Sequence, residues 1–224
     1  MLGLSSTTAF ADGHTQDYSE SGYFIFNTLL FLIGGFLVMW MAAGFAMLET
    51  GLVRSKNAST QLIKNVALFS LASIAYFIVG FNLMYPGDGW IIDGWMGGFS
   101  LTGLEPAGVG ADGVDLTYAS VGSDFFFQLM FCAATASIVS GTVAERVKLW
   151  PFLIFTVVLT GIFYPISASW QWGGGWLSEA GFSDFAGSTV VHATGAAAAL
   201  ALTKARVSST QTQPGVQEPQ TSAC

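Results

Sequence analysis

The sequence predicts an all-α integral membrane protein with five transmembrane helices, the N-terminus outside and the C-terminus inside. Of the 224 residues, 52% are hydrophobic and only 9% are charged, which is far from the composition of a soluble domain. Five apolar runs are long enough to cross about 30 Å of hydrocarbon. All seven Lys and Arg residues fall in three short segments, and two apolar runs separate each segment from the next. Since cytoplasmic loops retain positive charge, this pattern gives both the spans and their direction.

The predicted spans alternate in direction across the bilayer, and the basic segments follow spans one, three and five. The spans cover residues 23–48, 66–84, 125–143, 149–170 and 186–203. The basic segments are Arg54/Lys56/Lys64, Arg146/Lys148 and Lys204/Arg206. With these segments inside, most acidic residues lie outside or at the outer boundary. The formal charge of −7 therefore indicates an external acidic face, and no nucleic-acid partner is predicted.

Three parts of the chain differ in composition. Residues 1–22 are predicted to be a signal-peptide remnant, because of the small-x-small pattern around Ala9 and Ala11, followed by an external segment. Residues 23–205 form the membrane domain, and the polar, Gln- and Thr-rich residues 206–224 are predicted to be a disordered tail. The two cysteines cannot pair in this topology. No cofactor, metal site or catalytic constellation is predicted.

The long external segment 85–124 contains a short internal echo, Gly-Asp-Gly-Trp at 87–90 and Asp-Gly-Trp at 93–95. Tryptophan is enriched where a membrane protein meets the headgroup region. We therefore favour an interfacial cap with Trp anchors for this segment. The alternative is a cation site built from Asp112 and Asp115.

Two polar residues near the fifth span have two interpretations each. His192, the only histidine within a predicted span, either forms a hydrogen bond between helices or lines a narrow lumen among small neighbours at 188, 195, 196 and 199 on the same helical face. Asp184 either caps the helix predicted to begin near Phe185 or orients cation-attracting groups at an external vestibule. The two interpretations of Asp184 are compatible.

Aromatic residues near the predicted outer side also have two interpretations. Phe127 and Phe131 are one helical turn apart, so they share a face, which is common in packing and lipid contact as well as in gates. Trp172 lies before three glycines and is either a membrane-interface residue or a face that attracts a small cation.

Taken together and in order, these motifs resemble the ammonium transporter family, the Amt/MEP group with its Rh relatives, from about Gly22 to Leu202. The stretches that carry the resemblance are GFAMLETGLVRSKN at 44–57, FQLMFCAAT at 127–135, SGTVAER at 140–146, WGGG at 172–175 and DFAGSTVVH at 184–192. The resemblance implies that Trp172 belongs to an outer ammonium-recruiting vestibule supported by Asp184. It implies that Phe127 and Phe131 form a stacked gate, with Gln128 beside it on the polar path. His192 is similar to the first of the family's twin pore histidines, and Trp172 favours the Amt/MEP branch.

The resemblance also implies an architecture, a substrate and partners. The resemblance implies that full-length members consist of two five-helix halves with opposite orientations in the membrane. This chain resembles the first half only. The implied substrate is ammonium or ammonia, with methylammonium as an analogue. The implied setting is the lipid bilayer of a plasma membrane, in a bacterium the inner membrane, with a homotrimer and a cytoplasmic PII-type regulator for the complete protein.

Two alternatives to an incomplete transporter stay open. One is a regulatory or binding membrane module of the same family that pairs with a separate second half. The other is a membrane redox or light-driven protein. One histidine in a predicted span disfavours bis-histidine haem ligation, and the absence of a lysine deep in a predicted span disfavours a retinal Schiff base.

Overall fold

The computed structural model describes the backbone of residues 9–101 and 118–211 and the side chains of residues 22–101 and 118–205. The predictions for residues 1–8, for a cation site at Asp112 and Asp115, and for residues 212–224 lie outside the described part.

The first half of the described chain is two long helices followed by a small hairpin. Their segments are α1 at Ala9–Leu52, a 3₁₀ turn at Ser55–Asn57, α2 at Ala58–Ala75, a π-helical turn at Tyr76–Gly80, α3 at Phe81–Met84, and strands β1 at Trp90–Ile92 and β2 at Met96–Gly97. The two strands pair antiparallel. We call the side of the bundle that carries this hairpin the hairpin end, and the opposite side, which carries Arg54 and Arg146, the basic-loop end.

The second half contains a central helix, a long helical segment with a π-helical turn, a short helix and a final helix. Its segments are α4 at Val121–Thr142, α5 at Leu149–Val158, a π-helical turn at Leu159–Phe163, α6 at Tyr164–Ser169, α7 at Trp176–Glu179 and α8 at His192–Gln211. Helix α4 packs against α1, α2 and α8. Its small residues Ala133, Ala134 and Ala136 are buried, which allows the neighbouring backbones to approach closely.

Four helical stretches in the described residues are long and apolar enough to cross a membrane. They are Gly22–Leu52, Ser55–Met84, Val121–Thr142 and Leu149–Ser169, and they correspond to the first four predicted spans. The protein is therefore a multi-pass helical membrane protein. The fifth predicted span, 186–203, corresponds to α8, which begins only at His192. The preceding residues form a turn because the Asp184 carboxylate accepts their N–H groups.

The predicted spans 23–48 and 66–84 leave residues 49–65 as an inner loop, and this loop is predicted too long. Glu49 lies within α1 and Lys64 within α2, and only about five residues around Arg54 separate the helices. The helices continue because the charge of Lys64 is compensated: its Nζ lies 3.9 Å from Glu49 Oε2. Lys64 lies near the start of the Ser55–Met84 stretch, and its side chain is 8% exposed. Its ammonium group is already held by an ion pair.

Tryptophans fasten the hairpin to the connection between α6 and α7. The rings of Trp95 and Trp176 stack at 4.7 Å between centroids, with 11° between their planes. Trp170 Nε1 donates a hydrogen bond to Trp95 O at 2.8 Å, and Trp176 N donates to Gly94 O at 3.0 Å. Gly94 adopts a φ of +66°, which favours glycine at this contact. These tryptophans thus stabilise the packing of the hairpin on the helices, and their anchoring at a membrane interface stays a prediction.

Candidate functional site

Four aromatic rings form a continuous series from α1 through α4 to the segment after α6. Phe31 and Phe127 stack at 5.1 Å between centroids, with 11° between planes. Phe127 meets Phe131 at 4.9 Å, and Phe131 meets Trp172 at 5.9 Å. The predicted site residues Phe127, Phe131 and Trp172 are therefore brought together, and Phe31 is a member that sequence reasoning missed.

The predicted stacking of Phe127 on Phe131 is wrong. Their planes lie at 88°, an edge-to-face arrangement, which the ring quadrupoles favour over a face-to-face sandwich. The stacked partner of Phe127 is instead Phe31 on α1. Gly34 makes this possible, since a Cβ there would come within 2.7 Å of the Phe127 ring. The helical turn spacing placed the two phenylalanines on one face correctly, but a neighbouring helix decided how the rings turn.

Asp184 orders the turn that precedes α8. Its Oδ1 accepts from Ser188 N at 3.0 Å, and its Oδ2 accepts from Thr189 N and Val190 N at 2.8 Å each. The residue is 7% exposed. Its backbone carbonyl accepts a hydrogen bond from Trp172 Nε1 at 2.8 Å. Asp184 therefore orders a turn, whereas the prediction was a cap on a helix that begins near Phe185, and its backbone carbonyl fixes the orientation of the Trp172 ring.

His192 is the first residue of α8 and is exposed in this chain. Its Nδ1 lies 3.3 Å from Gly187 O. A carbonyl oxygen only accepts, so this contact requires the proton on Nδ1 and leaves Nε2 as an acceptor in the neutral ring. On α4, Thr135 Oγ1 donates to Phe131 O at 3.1 Å and lies 3.5 Å from Val191 O. Val191, the residue before His192, thus contacts the turn of α4 that follows Phe131.

The predicted small-residue face around His192 is divided in the structure. Ser188 precedes the helix, and Ala196 is exposed like His192. Gly195 and Ala199 are buried, because α4 packs there: a Cβ on Gly195 would lie 3.1 Å from Thr135 O. The glycine thus serves helix packing, and the exposed side of α8 carries the imidazole.

Gln128 has polar neighbours that do not belong to the aromatic series of Phe127 and Phe131. Gln128 is buried, and its side chain interacts with those of Asp124 and Tyr85, while its Oε1 has no hydrogen-bond partner among the described residues. Burial, followed by the nearby Asp124 charge, raises the pKa of Tyr118 above its usual range. Sequence reasoning treated Asp124 only as part of the acidic side. A place for Gln128 on a polar path stays a prediction.

Two polar clusters at the basic-loop end were also missed. Glu49, Gln61, Lys64, Asn65 and Ser140 form a buried cluster that joins α1, α2 and α4. Its signal in the sequence was the placement of Glu49, Gln61, Lys64 and Asn65 at the edges of apolar runs, where charges and amides need partners.

The second cluster connects the two loops at this end. Glu145 Oε1 accepts from Asn57 Nδ2 at 2.6 Å, from Arg54 N at 3.0 Å and from Arg54 Nε at 3.3 Å. These bonds, led by the one from Asn57, lower the pKa of the exposed Glu145 carboxyl below its usual value. Glu145 adopts a φ of +59°, a conformation that non-glycine residues rarely adopt without compensating contacts.

The chemistry available at the aromatic series is recognition rather than bond making. Faces of tryptophan and phenylalanine attract small cations, apolar rings exclude water, and the Nε2 acceptor of His192 can receive a hydrogen bond. These groups lie on or beside helices that are long enough to span a membrane. The protein is therefore a multi-pass helical membrane protein with a candidate recognition site at its hairpin end.

Comparison with known proteins identifies the family. The model of the Ammonium Transporter Family matches residues 29–220, so the chain belongs to the ammonium transporter family. It is 43% identical over 195 residues to a putative ammonium transporter of Synechocystis, a match that covers 86% of this chain and 42% of that protein. It is 44% identical over 180 residues to ammonium transporter Amt2 of Archaeoglobus fulgidus, covering 76% and 36% respectively.

A solved structure agrees with the sequence comparisons. A sensor Amt protein superimposes with a TM-score of 0.66 and 34% identity, covering 77% of this chain and 42% of the solved one. The chain therefore spans less than half the length of the relatives it matches.

Proposed function

We propose that this chain contributes to ammonium transport across a membrane as the N-terminal half of an Amt-type transporter. The observation that carries the proposal is the aromatic series from Trp172 to Phe31, with His192 at the start of α8, directly after the Val191 carbonyl that contacts α4. The membership of the chain in the ammonium transporter family supports ammonium as the substrate.

The proposed roles follow from the physical difficulty of recognising ammonium. Ammonium is close in size to water and potassium, so a path that excludes them must use the N–H groups. The Trp172 face recruits the cation, and the Phe127 and Phe131 rings remove its water. The His192 Nε2 then accepts an N–H where full charge is disfavoured. Asp184 keeps the Trp172 ring in place through its backbone carbonyl.

The proposal includes the topology and the assembly. Five spans with the N-terminus outside place the hairpin end externally and the Arg54 and Arg146 loops in the cytoplasm, in keeping with positive charge on the inner side. The path requires an inverted second half, which covers the exposed His192 face. The complete protein is proposed to be a homotrimer in a plasma membrane, which in a bacterium is the inner membrane. It is also proposed to bind a cytoplasmic PII-type regulator.

A second function within the same family uses the same surfaces. A regulatory or binding module would pair with a separately encoded second half and sense ammonium without conducting it. The exposed His192 side of α8 is equally available to that partner. Conduction by the paired halves decides between the two functions.

The first test restores a second half by fusion. In the completed protein, His192→Ala should alter the rate or the selectivity of ammonium and methylammonium conduction while membrane expression stays normal. Trp172→Leu should mainly weaken recruitment, by about 0.5–2 kcal/mol, the usual contribution of a cation–π contact. Unchanged transport and selectivity in His192→Ala would reduce the imidazole to a packing group.

The second test uses the unmodified chain in liposomes. We expect no saturable, ammonium-selective flux above that of protein-free vesicles, because His192 then lacks the opposing half of the path. Robust selective flux from this chain alone would overturn the half-transporter proposal.

A further inference from the structure

A buried carboxylate at the basic-loop end uses only one of its two oxygens. Glu49 is 2% exposed. Its Oε2 accepts hydrogen bonds from Gln61 Nε2, from Asn65 Nδ2 at 2.9 Å and from Ser140 Oγ at 2.8 Å. These donors come from α2 and α4, so the Oε2 side of the carboxylate is saturated.

The countercharge of Glu49 also lies on the Oε2 side. Lys64 Nζ is 3.9 Å from Oε2, donates to Ser140 O at 3.0 Å and lies 5.0 Å from the centroid of the Phe152 ring. These contacts fix the ammonium group between α4 and α5. Lys64 therefore does not serve Oε1.

The other oxygen, Oε1, is buried and has no hydrogen-bond partner within residues 22–101 and 118–205. An unpaired buried carboxylate oxygen is costly. Glu49 and Gly141 line a cavity of about 750 Å³ between the ends of α1 and α4. A methyl group on Gly141 would lie 3.5 Å from Oε1, so Oε1 lies on the side of the carboxylate next to Gly141, which lines this cavity.

The electrostatics of the cavity favour a cation at Oε1. The C-terminal ends of α1 and α4 meet there, and such ends carry partial negative charge. The two arginines of the lining are already engaged: Arg54 pairs with Glu145, and Arg146 Nη1 donates to Thr142 O at 3.2 Å. Among the lining residues, Glu49 and Glu145 balance Arg54 and Arg146. Lys64 lies on the opposite, Oε2 side of the Glu49 carboxylate, so the helix ends and the unpaired Oε1 set the sign on the Gly141 side.

We propose that this cavity is a second cation site. In this site, Glu49 Oε1 accepts a hydrogen bond from a small monovalent cation that carries N–H groups, such as ammonium. The identity of the cation rests on the proposed function, whereas the site itself rests on Oε1 and the cavity. A divalent metal is a poor fit, because such ions require several oxygen ligands and no group of three His, Cys, Asp or Glu side chains in the described residues could hold one.

The test measures the melting temperature of the purified full chain in detergent during titration with ammonium chloride. Sodium, potassium and tetramethylammonium chlorides at equal ionic strength are the comparison salts. We expect ammonium to raise the melting temperature above the other salts. The reason is that a ligand that binds only the folded state stabilises it. Tetramethylammonium has no N–H group to donate to Oε1, so it should not raise the melting temperature.

Two variants separate the site from general stability. Glu49→Gln should abolish the ammonium-specific increment. Gly141→Ala preserves the Glu49–Lys64 pair but places a methyl group beside Oε1, and should raise the apparent Kd at least about tenfold, about 1.4 kcal/mol. The Ala variant still tests the site if Glu49→Gln fails to fold. Trp172→Leu, which removes the proposed recruiting face, should retain the increment.

Three results would overturn the site: an equal increment in wild type and Gly141→Ala, an equal increment with potassium, or loss of the increment in Trp172→Leu. Failure of transport in the fused, completed protein would leave this measurement unaffected. The two proposals therefore fail separately.

Discussion

Asp184 offers the sharpest test of how the candidate site is built, because one carboxylate holds three backbone N–H groups at 2.8–3.0 Å. In Asp184→Ala, the N–H of the buried Val190 loses its acceptor, at about 1–3 kcal/mol. The N–H groups of the exposed Ser188 and Thr189 regain water and lose about 0.5–1.5 kcal/mol each. We expect Asp184→Ala to lower the free energy of unfolding by about 2–6 kcal/mol.

A conservative variant and a matched control sharpen this prediction. Asp184→Asn retains one oxygen, so the Thr189 and Val190 bonds persist as neutral ones while the Ser188 bond is lost, and we expect about half the cost of the alanine variant. Asp93→Asn changes an exposed carboxylate near the hairpin and should stay within about 0.5 kcal/mol of wild type.

The measurement is unfolding of the purified chain in mixed micelles with increasing dodecyl sulfate, followed by the loss of helical circular dichroism. The free energies of the variants are compared at one micelle composition. If Asp184→Ala matches Asp93→Asn, the carboxylate does not order the turn, and its role in fixing Trp172 through the backbone carbonyl must be abandoned.

Two further predictions concern the proposed topology and the basic-loop end. In a chain without its native cysteines, a cysteine at the exposed Ile91 should react with an impermeant thiol reagent added to intact cells, and one at Ser55 should not; the opposite pattern contradicts the orientation. The pKa of Glu145 is lowered in the fold, so its stabilisation is present above the ordinary Glu pKa of about 4.3 and disappears as the pH falls through the lowered value. Melting temperatures between pH 7 and pH 3 should therefore converge for wild type and Glu145→Gln at the acid end, and a constant difference would show that the carboxylate charge is not involved.

The helical class and the positions of the first four spans were predictable because hydropathy is a local property. A run of apolar residues must be helical in hydrocarbon, since no water satisfies its backbone. The predicted spans 125–143 and 149–170 differ from Val121–Thr142 and Leu149–Ser169 by a few residues. The boundaries near Glu49 and Lys64 were less accurate, because a charge ends an apolar run in sequence but not in space when its partner lies on another helix.

The candidate site was predictable in its membership more than in its geometry. Phe127, Phe131 and Trp172 were identified because each belongs to a short motif that is readable along the chain, and the structure brings the three rings into one series. Phe31 was not identified, because nothing local connects α1 to the Phe127 ring. The edge-to-face contact of Phe127 and Phe131 depends on Phe31 and on the room left at Gly34.

The sequence by itself determined a multi-pass helical membrane protein of the ammonium transporter family, because composition, apolar run length and short motifs are all readable along one chain. Only the tertiary structure decided where buried polar atoms find partners. It showed that Asp184 accepts N–H groups from the turn before α8. It also showed that Glu49 Oε2 accepts from three donors, while Oε1 is buried without a partner among the described residues, next to Gly141. The reason is physical: a hydrogen bond or ion pair between distant segments depends on angstrom-scale distances that helix packing sets, and no periodicity in the sequence encodes them.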